Sequence, residues 1–244
     1  MLAAGAAWAR PVRRVFQPKD LDFREAGLLE LTLQFGLVRG QNAYRVSTPG
    51  FELDLGLTRN LELEVSGELA VAGPNDGAFT FDRTSPDNTW TSLKTGLLDV
   101  STGADTWTAG LQLGPQLPTA RGNSGLGLEG LVLVGWRHRE TLLVANLGGL
   151  LDPDPGGGNP RPAGLEGGLD LTRPVDAAGR WTLYGGVSGV RYLATYADQM
   201  NVLAGVIWSP NERLDVSLTA LGGPVAGGDR WGVLLGFTPK ARLW

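Results

Sequence analysis

The chain has 244 residues, no cysteine and a formal net charge of -4, from 21 Lys+Arg against 25 Asp+Glu. The lack of cysteine excludes a disulfide framework and a thiolate metal site, and the mild acidity is not typical of a nucleic-acid-binding protein. No apolar run approaches the roughly 18 residues that a transmembrane helix needs. The 37 glycines and 8 tryptophans favour a sheet that curves and closes over a helical enzyme.

The N-terminus resembles part of an export signal. Residues 1–9 are small and apolar, and Ala7-Trp8-Ala9 has the A-x-A form of a cleavage site. A basic stretch without strand pattern follows. We therefore expect residues 1–9 to be the remnant of an export signal, residues 10–26 to be a periplasmic N-terminal segment, and residues 27–244 to be the single folded domain.

From residue 27 onward, apolar and polar residues alternate in about twelve short runs. In the first run Leu29, Leu31 and Leu33 share one parity, and Glu30 and Thr32 share the other. A strand sends successive side chains to opposite faces, so one face is apolar and the other polar. In a soluble sandwich the apolar face would pack on a second sheet. In an outer-membrane barrel it would face lipid, and the polar face would line a wet lumen.

The links between the runs alternate in length. Those after odd-numbered strands are long, and those after even-numbered strands are short or middling, as expected for an even-stranded barrel with short periplasmic turns and long external loops. Nine of the runs lie near 28–38, 51–58, 61–71, 89–98, 105–115, 126–136, 165–171, 181–190 and 230–238. The other three are located by their turns. The seventh run follows the turn at 137–140, and the tenth and eleventh lie on either side of 209–212.

Six tryptophans fall at the ends of these runs. Indole rings favour a membrane interface, where an apolar ring and a polar N–H are both accommodated. The pattern predicts an aromatic girdle with Trp107, Trp136, Trp181 and Trp208 at the periplasmic rim and Trp90 and Trp231 at the external rim.

Charged and amide side chains recur at the polar parity. A charge facing lipid costs up to a few kcal/mol at mid-depth, so we expect these side chains to face the lumen, and Leu31, Leu53, Leu63 and Leu218 to face outward. They either form an acidic wall that favours cations or binds a polar group of a solute, or are ordinary lumenal groups paired across strands. The predicted lumen- and solute-lining residues are Glu30, Glu52, Asp54, Glu62, Glu64, Glu68, Lys94, Asn146, Asp170 and Asp215.

No catalytic constellation stands out. The one histidine, His138, falls in a predicted tight turn, where it is poorly placed as the base that a serine hydrolase needs. Phosphate-loop, HExxH and EF-hand motifs are absent from the sequence. We therefore expect no enzyme activity, no metal site and no cofactor.

Several short motifs are similar to those of the outer-membrane β-barrel family of the MetA pathway of phenol degradation, a transporter-like group. They are the alternating residues 51–63, a stretch at 116–120 like that family's "LPTG" with Ala for Gly, and residues 145–148 and 211–216. The resemblance covers residues 27–240. It implies an outer-membrane barrel that serves uptake of small, hydrophobic or aromatic molecules.

The sequence as a whole predicts a single antiparallel barrel of about twelve strands, all-β, in the outer membrane of a Gram-negative bacterium. As a passive channel it would have outer-membrane lipid and a small-molecule solute as partners, and no nucleic acid. Two alternatives stay open. One is a structural or surface-display barrel with a plugged lumen, and the other is a soluble periplasmic β-protein that binds a lipid. The oligomeric state and the solute are not predicted.

Overall fold

The computed structural model describes most of the chain beyond residue 20. Among these residues no helix is long and apolar enough to cross a membrane. Residues 1–9, expected to be an export-signal remnant, and residues 10–20 of the expected periplasmic segment lie outside the described part. The described residues are 21, 23–40, 43–74, 84–120, 122–156, 159–193, 196–225 and 227–244.

Antiparallel strands make up the described fold, and twelve of them form a closed barrel. Closure comes from β13 pairing with β1, with Leu33 opposite Phe237. The short β4 is an additional strand that pairs with Leu69–Val71 of β3. The predicted fold class and strand number are confirmed. The strands are β1 (Leu28–Arg39), β2 (Ala43–Thr58), β3 (Leu61–Pro74), β4 (Thr84–Pro86), β5 (Thr89–Thr102), β6 (Asp105–Leu117), β7 (Gly127–His138), β8 (Thr141–Leu151), β9 (Ala163–Pro174), β10 (Trp181–Tyr192), β11 (Gln199–Asn211), β12 (Leu214–Gly222) and β13 (Trp231–Arg242).

The links fall into two sets, and the longest of them lie at one end of the barrel. One end, here called the turn end, carries the start of β1, the end of β13 and the links 59–60, 103–104, 139–140, 175–180 and 212–213. The opposite end, the loop end, carries the links 40–42, 75–88, 118–126, 152–162, 193–198 and 223–230. At the turn end, Gly103 has a φ of 64° and Arg139 a φ of 53°, both in the left-handed region that tight hairpin turns require.

The first link departs from the expected pattern. Residues 43–50 were expected in a long loop, but β2 already begins at Ala43. The register shifts between Ser47 and Gly50 against β3. Proline has no N–H for a ladder hydrogen bond and is tolerated where the pairing is interrupted. The irregularity therefore accommodates Pro49 inside a strand, and the link after β1 is short.

The distribution of polarity across the barrel wall is inverted relative to a soluble protein. Glu62 on β3 is 0% exposed, whereas Leu113 on β6 is 58% exposed and Leu218 on β12 is 51% exposed. Leu31, Leu53 and Leu63, expected to face outward, are partly exposed. Because the described strands all belong to one sheet, there is no second sheet among them to cover the apolar face. This excludes a sandwich for the described residues.

We expect an arginine at Leu218 to destabilise the inserted protein. Leu218 lies at the middle of β12, opposite Val206 and Leu235, and a charge on the lipid face at mid-depth costs about 2–4 kcal/mol. Equilibrium unfolding of Leu218→Arg in lipid vesicles measures this cost.

The matched control is Leu193→Arg. Leu193 is 70% exposed and lies in the link 193–198 at the loop end, where a charge meets water. Its free energy of unfolding should stay within about 0.5 kcal/mol of the wild-type value. Equal losses for the two variants would contradict the assignment of the outer face.

Candidate functional site: the barrel interior

The predicted lumen-lining residues share the interior face of the wall. Of these ten side chains, Glu52 and Asp215 are partly buried and the other eight are buried. Period-two alternation accounts for this placement, since each lies two, four or six positions from another inward residue on its strand. The buried members are Glu30, Asp54, Glu62, Glu64, Glu68, Lys94, Asn146 and Asp170.

Glu62 is the most deeply buried of the carboxylates. It stands opposite Lys94 in the β3–β5 register, and its Oε1 lies 2.6 Å from Lys94 Nζ. Its Oε2 accepts a hydrogen bond from the backbone N–H of Arg24 at 2.9 Å. A charge removed from water needs both a counter-charge and hydrogen bonds, and Glu62 has both.

Arg24 joins three strands. Its Nε donates to Glu30 Oε2 on β1 at 2.9 Å, and one terminal nitrogen lies 3.7 Å from Asp54 on β2. The other terminal nitrogen lies 4.0 Å from Glu62 on β3. Arg24 belongs to the segment expected in the periplasm. The described part of that segment, Leu21 and residues 23–26, lies inside the barrel at its turn end.

Lys240 extends the same network across the β1–β13 seam. Its Nζ lies 3.3 Å from Glu30 and 2.9 Å from Asp215 on β12. The ion pairs thus run from β12 through β13, β1, β2 and β3 to β5, near the turn end. We call this set the basal belt; it comprises Asp215, Lys240, Glu30, Arg24, Asp54, Glu62 and Lys94.

Above the basal belt, amides take over as partners of the carboxylates. Gln112 Nε2 donates to Glu64 at 2.9 Å and contacts Ser92 Oγ at 2.7 Å. Across the barrel, Asn146 Nδ2 donates to Asp170 at 3.4 Å. Each of these amides thus satisfies a buried carboxylate by a hydrogen bond.

A third group of charges lies at the loop end. Arg45 on β2 is 3.5 Å from Glu68 on β3 and 3.2 Å from Asp229 in the link before β13. The Asp229 contact is also a hydrogen bond from the guanidinium. This group ties the link 223–230 to the acidic side of the barrel.

The opposite side of the interior is apolar, which the sequence analysis missed. Buried leucine, valine and tyrosine side chains predominate on the inner face of β7, β8 and β10–β13, with buried polar residues such as Asn146, Ser188 and Thr219 among them. The available signal was weak, because residues 131–134 are apolar at both parities and do not reveal which side chains turn inward. These apolar residues form three clusters: Leu21, Leu133, Leu142 and Val144; Val38, Tyr184, Leu203, Leu221 and Leu234; and Leu150, Val190 and Tyr192.

Four of the six predicted girdle tryptophans pair at the turn end. Trp107 and Trp136 have ring centroids 6.2 Å apart, and Trp181 and Trp208 stack at 6.0 Å. Trp107, Trp181 and Trp208 are exposed, and Trp136 is partly exposed. Beside them, the Trp181 backbone N–H donates to Asp176 at 2.7 Å. This hydrogen bond holds the pKa of the Asp176 carboxyl below its usual value.

The two tryptophans at the loop end differ from each other. Trp231 is exposed and packs edge-on against Tyr44, with centroids 6.2 Å apart. Trp90 is only 7% exposed and shares the parity of Lys94, so it faces the interior. The expectation that Trp90 belongs to an outward girdle is therefore wrong. The parity of Trp90 along β5, and not its position at a strand end, decides which way the ring faces.

The fold matches solved barrels at low sequence identity. An outer membrane channel from Pseudomonas putida F1 aligns with a TM-score of 0.66 and 12% identity over 93% of this chain and 100% of that chain. The NanC porin aligns with a TM-score of 0.61 and 8% identity over 87% of this chain and 100% of that chain. No family model and no curated protein matches the sequence. The likeness establishes a shared barrel fold.

We expect removal of the Lys94 charge to destabilise the barrel. Lys94→Met leaves the buried Glu62 without its nearest cation, and breaking a buried ion pair in this way costs about 3 kcal/mol. Denaturant unfolding in detergent micelles measures the loss. The double variant Lys94→Met/Glu62→Leu should recover most of it.

The control is Arg242→Met. Arg242 pairs with Glu25 at the turn end, where both side chains are exposed, and exposed pairs contribute about 0–1 kcal/mol. If Lys94→Met were as stable as Arg242→Met, the basal belt would not be a stabilising network.

Proposed function

We propose that this protein is an outer-membrane barrel through which small molecules, including hydrophobic or aromatic ones, pass passively. The observation that carries the proposal is the inverted wall: one closed sheet with charged groups such as Glu62 inside and leucines such as Leu113 outside. In water this arrangement would bury charged side chains and expose apolar ones, both at a cost in free energy. In a membrane both faces have a suitable solvent.

The tryptophan girdle supports the membrane setting, and the short turns indicate the orientation of the barrel in the membrane. Paired tryptophans at the turn end and Trp231 at the loop end bracket the exposed leucines, at the levels where indole rings favour the lipid–water interface. Short turns face the periplasm in bacterial outer-membrane barrels. We therefore place the turn end, with residues 27 and 244, on the periplasmic side.

The two sides of the interior support a solute that is partly apolar. Carboxylates and amides cover the inner face of β1–β6, and the apolar clusters cover most of the remainder. A small aromatic molecule could contact Leu203 and Tyr184 with its ring while a polar substituent meets the acidic side. The motifs similar to the phenol-degradation family point to the same class of solute. Twelve strands enclose more room than the eight that side chains alone can fill.

Recording from planar bilayers tests the channel directly. The wild-type protein should conduct with a preference for cations, because carboxylates outnumber cationic groups inside the described barrel. The double variant Glu52→Gln/Glu64→Gln should lower the cation-to-anion permeability ratio by roughly two-fold or more. Both glutamates lie outside the basal belt, so the change leaves the Lys94–Glu62 pair intact.

An isosteric control uses two exposed carboxylates. Glu140→Gln and Glu212→Gln, both in exposed turns at the turn end, remove the same charge from the outside of the pore and should leave the ratio nearly unchanged. Folding of each variant is checked by heat-modifiable migration on a gel. A folded wild-type protein that never conducts would favour a structural or surface-display barrel with a plugged lumen.

A further inference from the structure

The described residues before β1 fill a groove in the inner wall. Leu21 packs with Leu133, Leu142 and Val144, on the apolar side, whereas Arg24 binds carboxylates of β1–β3 on the acidic side. Leu21 and residues 23–26, here called the inner segment, therefore run along the inner wall from β8 to β2 near the turn end. A free periplasmic tail would make neither set of contacts.

Glycines on the inner wall make room for the inner segment. A Cβ at Gly56 would collide with the carbonyl oxygens of Arg24 and Glu25. A Cβ at Gly110 would lie 2.9 Å from Leu21, and one at Gly96 would lie 3.1 Å from Phe23. These glycines sit on β2, β5 and β6. Their missing side chains leave a groove that follows the inner segment.

A sharp turn then takes the chain from the lumen into the wall. Gly27 has a φ of 81°, in the left-handed region that favours glycine. Its N–H donates to Gly56 O at 2.8 Å, and Leu28 N–H donates to Glu25 O at 2.9 Å. The turn fixes the backbone of Arg24 relative to β1 and β2. The guanidinium is therefore held beside the carboxylates of these strands and does not move freely in solvent.

The position of Arg24 has a consequence for permeation. Its guanidinium stands among Glu30, Asp54 and Glu62, at the level where any solute must pass the turn end. A fixed positive charge there offsets the negative potential of three carboxylates. We infer that Arg24, held against the inner wall by the inner segment, sets the charge selectivity of the turn-end mouth. This inference rests on the proposed channel function.

Reversal potentials in a salt gradient test the role of Arg24. Arg24→Gln should raise the cation-to-anion permeability ratio several-fold over the wild type, because the carboxylates lose a counter-charge. Arg24→Lys keeps the charge and should stay close to the wild-type ratio. Arg242→Gln removes an arginine that is exposed at the turn end and should change nothing. Gel migration of the unheated sample confirms that each variant folds.

Cysteine labelling tests the position of the inner segment without any conductance. The chain has no cysteine, so a single one can be introduced at Phe23, or at Leu21 if that variant fails to fold. Phe23→Cys should react with a charged maleimide at least ten-fold more slowly than Glu25→Cys, whose side chain is exposed. Adding Gly56→Ala, which displaces the segment, should speed the reaction. Adding Gly149→Ala, which meets only a carbonyl at 3.5 Å, should not.

The outcomes separate the two proposals. If the wild type conducts and Arg24→Gln has the wild-type ratio, the inference about Arg24 is wrong and the channel function stands. If no variant conducts, the channel function fails and the selectivity role fails with it. If Phe23→Cys labels as fast as Glu25→Cys, the inner segment does not occupy the lumen, and the inference is overturned whatever the conductance.

Discussion

Closure of the sheet is the constraint on which the rest of the structure depends. An open twelve-stranded sheet would expose two rows of unpaired N–H and C=O groups, which water could satisfy but lipid could not. Pairing of β1 with β13 removes both edges. Ion pairs in the interior also link the strands at the β1–β13 seam, because Lys240 on β13 contacts Glu30 on β1 and Asp215 on β12. Side-chain ion pairs thus reinforce the strand pairing at the point where sequence separation is greatest.

In a closed barrel, the outer side chains contact lipid and the inner side chains contact water or one another. Leucines on the outer face need no partner, whereas each charge on the inner face needs a counter-charge, a hydrogen bond or water. The basal belt meets this need with three cations from three different places: Arg24 before β1, Lys94 on β5 and Lys240 on β13. Opposite the acidic side, the inward face is apolar, and the interior as a whole is amphipathic. In the proposed channel, Arg24 serves both the stability of the basal belt and the charge selectivity of the turn-end mouth.

Alternation along the strands predicts much of this structure. Glu62 and Glu64 turn inward because they are two residues apart, and the tight turns follow from the short links. Parity fails where both faces are apolar, as at residues 131–134, since nothing in the pattern then distinguishes lumen from lipid. Arg24 could not be predicted because it lies in a segment without periodicity. Its position depends on glycines that are distant in sequence and on carboxylates from three strands.

The proposed membrane setting requires a single closed wall with lipid outside and the amphipathic interior within, and solvent accessibility along β12 is the sharpest check of that arrangement. Spin labels on single cysteines at residues 216–220, in vesicles, can be probed with oxygen, which concentrates in lipid, and with a water-soluble nickel complex. The account predicts a period of two, with oxygen contact highest at Val216, Leu218 and Ala220 and lowest at Ser217 and Thr219. Uniform exposure to the nickel complex, or the opposite parity, would contradict it.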